Sequence, residues 1–391
     1  MNPSRKTAVV NATILRPGRE PAKGSLLLEG GKIGRVFPEL FPELPAGTKS
    51  IDAKRHYVCP GLIDLHLHGG GGSHFSDMTH RNFVSILKTH ARFGTTTLLP
   101  TLTASSQGDI IAFIRFIRKE IKDKKLARRL LGLNLEGPFL SIGKRGAQPL
   151  RFIRPPRLGD MEKILEEADG FLKIMTLAPE LPGALELIGM LKRAGVIPAI
   201  GHTAADYEIT RQAIERGLSY ATHIFNSYPI LHHRDPGPLG AILEADGIDV
   251  EILADGIHVS PVVIRLLLRL KSFEKIIMVT DGNAALGEKI RRFTMAGREV
   301  RVKAGRAQLK DRTLVGSVLP LNQALRRMTG FTGIPIWRLL SLATLHPARI
   351  LKLDEKKGDL KKGMDADILI MDRKLKVKRT LVGGETVYRE K

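Results

Sequence analysis

The stretch Val58–Gly72, VCPGLIDLHLHGGGG, decides the reading of this chain. As far as Leu67 it is too apolar for a strand with one wet face, and it reads as a strand buried on both sides, the pattern of a parallel sheet. Alternate residues of a strand share a face, so Asp64, His66 and His68 point one way while Ile63, Leu65 and Leu67 point the other. Two imidazoles aimed at one place at the end of a buried strand favour metal binding over a pair of solvated histidines. One such pair does not make a site, so further ligands must come from elsewhere in the chain. The glycines Gly69–Gly72 permit a tight loop beside it.

Working outward, seven more short apolar runs follow: TTTLLPTLT, LLGLNLEG, LKIMTLAPE, VIPAIGHT, YATHIFN, DVEILADGIH and KIIMVTDG. Helical patterns fit between most of them, as at His80–Phe93, Ala184–Ala194, Asp206–Arg216 and Pro261–Lys271. The connection from Pro229 to Ala245 reads as irregular, and TLHPARILKL from Thr344 belongs to a later helix. Eight such runs alternating with helices predict an α/β fold, a (β/α)8 TIM-like barrel, over residues 58–350. Residues 1–57 and 351–391 are β-rich, with Gly and Pro clusters between strand-like runs and a Gly383-Gly384 turn near the end. The two ends are expected to combine into one small β-sandwich domain.

The chain has 391 residues, 43% hydrophobic and 26% charged, which suits one large core with a satellite. No apolar run is long enough to span a bilayer, and the basic but polar-interrupted start is a poor secretory signal, so a cytoplasmic protein is expected. The single cysteine, Cys59, excludes an internal disulfide and reads as a small core residue. The 62 Lys and Arg against 40 Asp and Glu give a net charge of +22, a field that attracts nucleic acid, anionic membrane or a phosphorylated substrate without choosing among them. The densest basic segment, Arg115–Leu130, reads as the solvated face of one amphipathic helix. With five tyrosines and one tryptophan, stacking platforms for single-stranded nucleic acid are not suggested.

The chemistry falls at the ends of the runs. His66 and His68 end the first, Glu136 the third, His202 the fifth and His223 the sixth; Asp255 and His258 end the seventh and Asp281 the eighth. Any one of these could be a cap or a turn residue, but barrel sites are built at the C-terminal ends of strands, where the whole set would converge. Imidazole and carboxylate together suit zinc or iron, with a position left open for water. Such a site points to hydrolysis, with Asp281 as the group that accepts and returns a proton. No G-x-S-x-G elbow supports a serine hydrolase.

This arrangement resembles the amidohydrolase superfamily. LEGPFLS from Leu135, TLAPE from Thr176, GHTAAD from Gly201, ATHIFN from Ala221, ADGIHV from Ala254 and VTDG from Val279 are similar, in order and spacing, to the motifs of the N-acetylglucosamine-6-phosphate deacetylase family. The resemblance implies that Glu136, His202 and His223 hold one metal, and that His66 and His68 complete a second site with Glu136 and Asp281. Many amidohydrolases use a carbamylated lysine on strand four; here that strand ends in Ala178-Pro179-Glu180, and Lys173 lies too early in it. The resemblance also implies a phosphate-binding role for Arg234, with Asn226 and Ser227 beside it, and a sugar contact for His258. His232 and His233 read as solvated loop residues. One departure stands out: where the family has Gly-Ala-His, this chain has Gly146-Ala147-Gln148, and Gln148 can donate a hydrogen bond but carry no proton or charge.

The leading expectation is hydrolysis of an N-acetylhexosamine 6-phosphate by a homodimer with one or two divalent ions per subunit. An amidohydrolase acting on a cyclic amide or N-acyl amino compound is the rival within the superfamily. A nucleic-acid-binding protein on a barrel scaffold is the rival of another class.

Overall fold

A computed structural model describes residues 6–391; the first five residues of the sequence-expected N-terminal β segment lie outside them. Eight parallel strands follow one another around a single sheet: β1 (Leu62–Leu67), β2 (Thr95–Leu102), β3 (Leu133–Glu136), β4 (Leu172–Leu177), β5 (Ile197–Ile200), β6 (Tyr220–Ala221), β7 (Asp249–Ile252) and β8 (Ile276–Met278). They are the eight runs predicted from the sequence. A parallel bridge between Leu67 and Gly282 brings the first and last strands together, with the Asp281 N–H donating to the His66 carbonyl at 2.9 Å. Every residue of β1 and β2 is buried, as expected for strands covered on both faces.

The connecting helices start and stop where the sequence provides caps. Asp206 accepts from the Ile209 N–H at 2.7 Å to open Tyr207–Arg216, and Gly217, left-handed at φ 114°, ends it. Two expectations are corrected. The basic segment Arg115–Leu130 is not one helix: Gln107–Glu120 ends, and Asp123 accepts from the Lys125 N–H at 2.7 Å to cap a separate short helix, Lys124–Ala127. The connection from Pro229 to Ala245 is not wholly irregular, because Pro238 fits the first turn of a helix, Gly237–Glu244, whose apolar side is buried.

The chain divides into two compact units. One takes the segment ending at Asp64, Leu87–Leu98 and Pro320–Lys391; the other takes Leu65–Ile86 and Leu99–Leu319. In the first, strands from both chain ends form a single eight-stranded sheet. The central joint is antiparallel pairing of Tyr57–Pro60 with Ile368–Met371, which sets Cys59 opposite Leu369. Val9, Leu26, Ile33, Val58, Ile368 and Leu381 form its core. Burial pushes the Cys59 thiol well above its ordinary range, so it is an inert core residue. The second unit carries an element the sequence reading passed over, a four-stranded antiparallel sheet from Arg292–Met295, Arg298–Lys303, Arg306–Gln308 and Leu314–Ser317. No helix among the described residues is long and apolar enough to cross a membrane.

Candidate metal centre and active site

Glu136, the last residue of β3, stands at the centre of the barrel mouth. Its Oε1 lies 2.9 Å from both His202 Nε2 and His223 Nε2. Its Oε2 lies 3.2 Å from His68 Nε2 and 3.7 Å from His66 Nε2. Asp281 Oδ1 closes the other side, 3.1 Å from His68 Nε2 and 3.7 Å from His66 Nε2. Two ligand sets result, each with atoms within 4.8 Å of one another: His66, His68 and Asp281, and Glu136, His202 and His223. Glu136 touches both.

The backbone here is bent to serve the side chains. His202, His223 and Asp281 all have positive φ, at 50°, 29° and 47°, as do Phe225 at 77° and Ser227 at 63°. Each strand has ended a few residues earlier, and the left-handed turn redirects the side chain inward. Residues other than glycine adopt this region at a cost, and such outliers gather where geometry matters more than local stability.

The far sides of the rings fix which nitrogen faces the centre. His202 Nδ1 donates to the Lys144 carbonyl at 2.9 Å, His68 Nδ1 to the Thr101 carbonyl at 3.1 Å and His66 Nδ1 to Glu251 Oε2 at 2.9 Å. With those protons committed, each Nε2 presents a lone pair towards a carboxylate. Lone pairs facing carboxylate oxygens need a positive charge between them. Separate protons would serve poorly, because the rings crowd one another: centroids are 4.9 Å apart for His202 and His223 and 5.2 Å apart for His66 and His68. A divalent cation meets the demand of several donors at once, so the residues present fit a zinc- or iron-type site.

Where no cation is bound, protons on the rings take its place. Burial alone would push Glu136 up, but the charge of His66 and the imidazole contacts of His202 and His223 hold it well below the ordinary carboxylate range. Burial pulls His68 down, but Asp281 and Glu136 outweigh it and raise the imidazole to about 9. Asp281, raised by burial and lowered more strongly by His68 and His66, stays ionised.

Around this centre lies a cavity of about 350 Å³ lined by Gln148, Asn226, Ser227 and His258, among others. Asp255 orients His258, accepting from its Nδ1 at 2.6 Å and from its backbone N–H at 2.9 Å. Burial lowers His258, but Asp255 overcomes this and raises it. Gln148 is locked from both ends: its Oε1 accepts from the Ala104 N–H at 2.8 Å, and its Nε2 donates to Glu136 Oε2 at 2.5 Å. The Asn226 amide nitrogen and backbone N–H both turn to carbonyls of their own loop. Arg234 does not join the cavity of this chain; it is exposed, with Nη1 2.8 Å from His233 Nε2. Lys173 donates to the Gly170 carbonyl at 2.8 Å, remote in sequence from the end of β4. Glu180 instead accepts from the Thr203 hydroxyl and the Ala204 N–H, both at 2.6 Å, steadying the His202 loop.

Three contributors were not among the sequence candidates. Glu251, fully buried in β7, accepts from His66 and from the His223 N–H, so one carboxylate orients a residue of each ligand set. Its signal was an acid inside the apolar run DVEILAD, where a charge needs a partner. Thr101 holds His68. The four-stranded sheet supplies a cavity wall from Met295 and Arg312 to Gly316.

A profile of the amidohydrolase family matches residues 57–387. The chain is 35% identical to N-acetylglucosamine-6-phosphate deacetylase of Bacillus subtilis over 93% of either chain. The chain belongs to the amidohydrolase family and, within it, to the N-acetylglucosamine-6-phosphate deacetylases. This amidohydrolase is also 32% identical to N-acetylgalactosamine-6-phosphate deacetylase of Escherichia coli O157:H7, over 92% of this chain and 93% of that one. Among solved structures, N-acetylglucosamine-6-phosphate deacetylase from Pasteurella multocida superposes with a TM-score of 0.92 at 31% identity, covering 97% of this chain and 99% of that one. A mutant of the Mycobacterium smegmatis enzyme in complex with N-acetyl-D-glucosamine-6-phosphate superposes at 0.89, with 30% identity over 98% of this chain and 100% of that one.

Proposed function

We propose that this amidohydrolase removes the N-acetyl group of an N-acetylhexosamine 6-phosphate, most readily N-acetylglucosamine 6-phosphate, giving acetate and the amino sugar phosphate. The observation that carries the reading is the convergence of Asp281 with four imidazoles and Glu136 beside one cavity, in a chain of this family. His66, His68, Glu136, His202, His223 and Asp281 are read as ligands of two divalent ions, zinc or iron. When bound, such ions lower the pKa of water and polarise a carbonyl.

The chain's own groups do the rest. Asp281, held ionised, takes a proton from the attacking water as its oxygen bonds to the acetyl carbon. When the C–N bond breaks, the same carboxyl returns that proton to the departing amine, a role worth roughly 10²- to 10⁴-fold in rate. Gln148 keeps Glu136 in place and supplies an uncharged donor beside it. His258, oriented by Asp255, and the Asn226–Ser227 loop line the space for the sugar. A cytoplasmic homodimer, with domain limits at residues 57 and 350, completes the proposal.

The test is metal analysis of the purified protein together with acetate release from phosphorylated and free N-acetylglucosamine and N-acetylgalactosamine. Metal-dependent release preferring the phosphorylated gluco epimer supports the reading. Full activity after exhaustive chelation, or turnover confined to cyclic amides, overturns it.

A further inference from the structure

The unit built from the two chain ends holds a cavity of its own, about 480 Å³, which shares no lining residue with the one at the barrel mouth. Cavities that take small molecules fall in this size range. Its walls carry positive charge: Arg92 from the segment Leu87–Leu98, Arg326 from the helix Leu321–Thr332, and Lys374 and Lys376 from the turn that follows the strand Ile368–Met371. The one lining carboxylate among the described residues, Asp372, is already occupied, accepting from the Lys374 and Lys376 backbone N–H groups, each at 2.9 Å. Lys376 pairs with Glu390 at 2.5 Å. The Arg326 guanidinium and the Lys374 ammonium are exposed and have no carboxylate partner among the described residues.

The helix Leu321–Thr332 begins at this cavity without a side-chain cap, and Asn322 and Gln323 of its first turn are among the lining residues, so the positive end of its dipole adds to the field. Asn322 is only 5% exposed. Its Nδ2 donates to the Leu375 carbonyl at 2.9 Å, which fixes the amide, since the reverse orientation would set two oxygens against each other. Its Oδ1 is left buried and without a partner, an uncommon state for a polar atom. Cations alone would suit any anion. An orphaned acceptor beside them calls for an anion that also brings an N–H or O–H group. Phe93, with the Arg92 guanidinium 4.9 Å from its ring centre, and half-buried Tyr388 add flat apolar surface against which a ring can lie.

We propose that this cavity is a second small-molecule site, which takes a phosphate monoester whose ring bears a hydrogen-bond donor, the phosphate on Arg326 and Lys374 and the donor on Asn322 Oδ1. A phosphorylated amino sugar and a nucleoside monophosphate share that chemistry. The site does not depend on the deacetylase reading. The experiment is titration calorimetry of the full chain with glucosamine 6-phosphate, adenosine monophosphate and inorganic phosphate, comparing wild type with Arg326→Glu, Lys374→Glu and Asn322→Leu, with acetate release from N-acetylglucosamine 6-phosphate measured on each. The expected result is that at least one ester binds wild type saturably and more tightly than inorganic phosphate, and that either charge reversal weakens it by roughly 10- to 100-fold while kcat/KM for acetate release is unchanged. Glucosamine 6-phosphate held in the barrel mouth adds a second set of sites that these variants leave alone. Asn322→Leu removes the advantage of the ester over inorganic phosphate, and the two surface reversals decide the matter should that buried substitution unfold the chain. Which ester binds identifies the source. Binding of no probe, or binding unaltered by both reversals, overturns the inference; so does inorganic phosphate binding as tightly as the esters, which marks a bare anion site. None of these outcomes touches the deacetylase reading, which fails instead on the absence of acetate release.

Discussion

In the unit built from the two chain ends, buried Lys357 places its ammonium 2.5 Å from Asp367 and 3.1 Å from Asp365. In the barrel mouth, four imidazoles and two carboxylates crowd together, their contacts running from ring to carboxylate. Both clusters are polar and buried, yet only the first is balanced by its own side chains. Lys32 adds a further contact to Asp365, and the Gly383 N–H donates to Asp367 at 2.8 Å, so that group is saturated and holds the fold. The second leaves lone pairs facing one another across left-handed backbone, and it calls for a cation from outside. A buried polar group that closes upon itself is structure; one that does not is a site.

The comparison can be broken at several points. Asp281→Asn should lower kcat by roughly 10²- to 10⁴-fold while the protein stays folded, since the amide cannot accept the proton. Full turnover by a metal-loaded Asn variant would remove Asp281 from the mechanism. In the other cluster, Lys357→Met should cost about 3–5 kcal/mol of stability by stranding two carboxylates, read as a lower denaturation midpoint, with kcat of the folded enzyme retained. A midpoint close to that of wild type would show that the pair is not saturated in the way described.

Glu251→Gln tests whether orientation of the rings is as important as their presence. A loss of about 10- to 100-fold in metal affinity is expected, measured by competition with a chelating dye, because the His66 ring loses its carboxylate partner. The smallest effect is pH dependence. His68 is raised from 6.5 to about 9 in the metal-free chain, so its stabilising contribution is complete below 6.5 and is lost as pH rises through 9. Metal must displace that proton, so affinity for zinc should rise over the same window while the metal-free protein becomes easier to unfold. A flat affinity profile between those limits would exclude proton competition at His68.

Much of this was legible because buried parallel strands write themselves as apolar runs, and each run announced its end with a polar residue. Thus His66, His68, Glu136, His202, His223 and Asp281 could be named before any coordinates. Glu251 could not, because the alternation of DVEILAD alone does not say which face of a two-sided strand meets a ligand. The sheet from Arg292 to Ser317 was passed over for a related reason: strands such as REVRVK are short, charged and half-exposed, and carry little hydrophobic signal. The role given to Arg234 rests on the resemblance alone, because a motif gives order along the chain and not the direction in which an exposed loop side chain points.

The bond from the Ser317 N–H to the Asp281 carbonyl, and the close approach of Gly316 to the same oxygen, have a consequence for traffic through the cavity. The wall they anchor cannot swing like a door without dragging Asp281 with it. Sugar and acetate must therefore pass by loops that are free of this tether, and a covalent clamp across the wall's outer strands should leave turnover undisturbed.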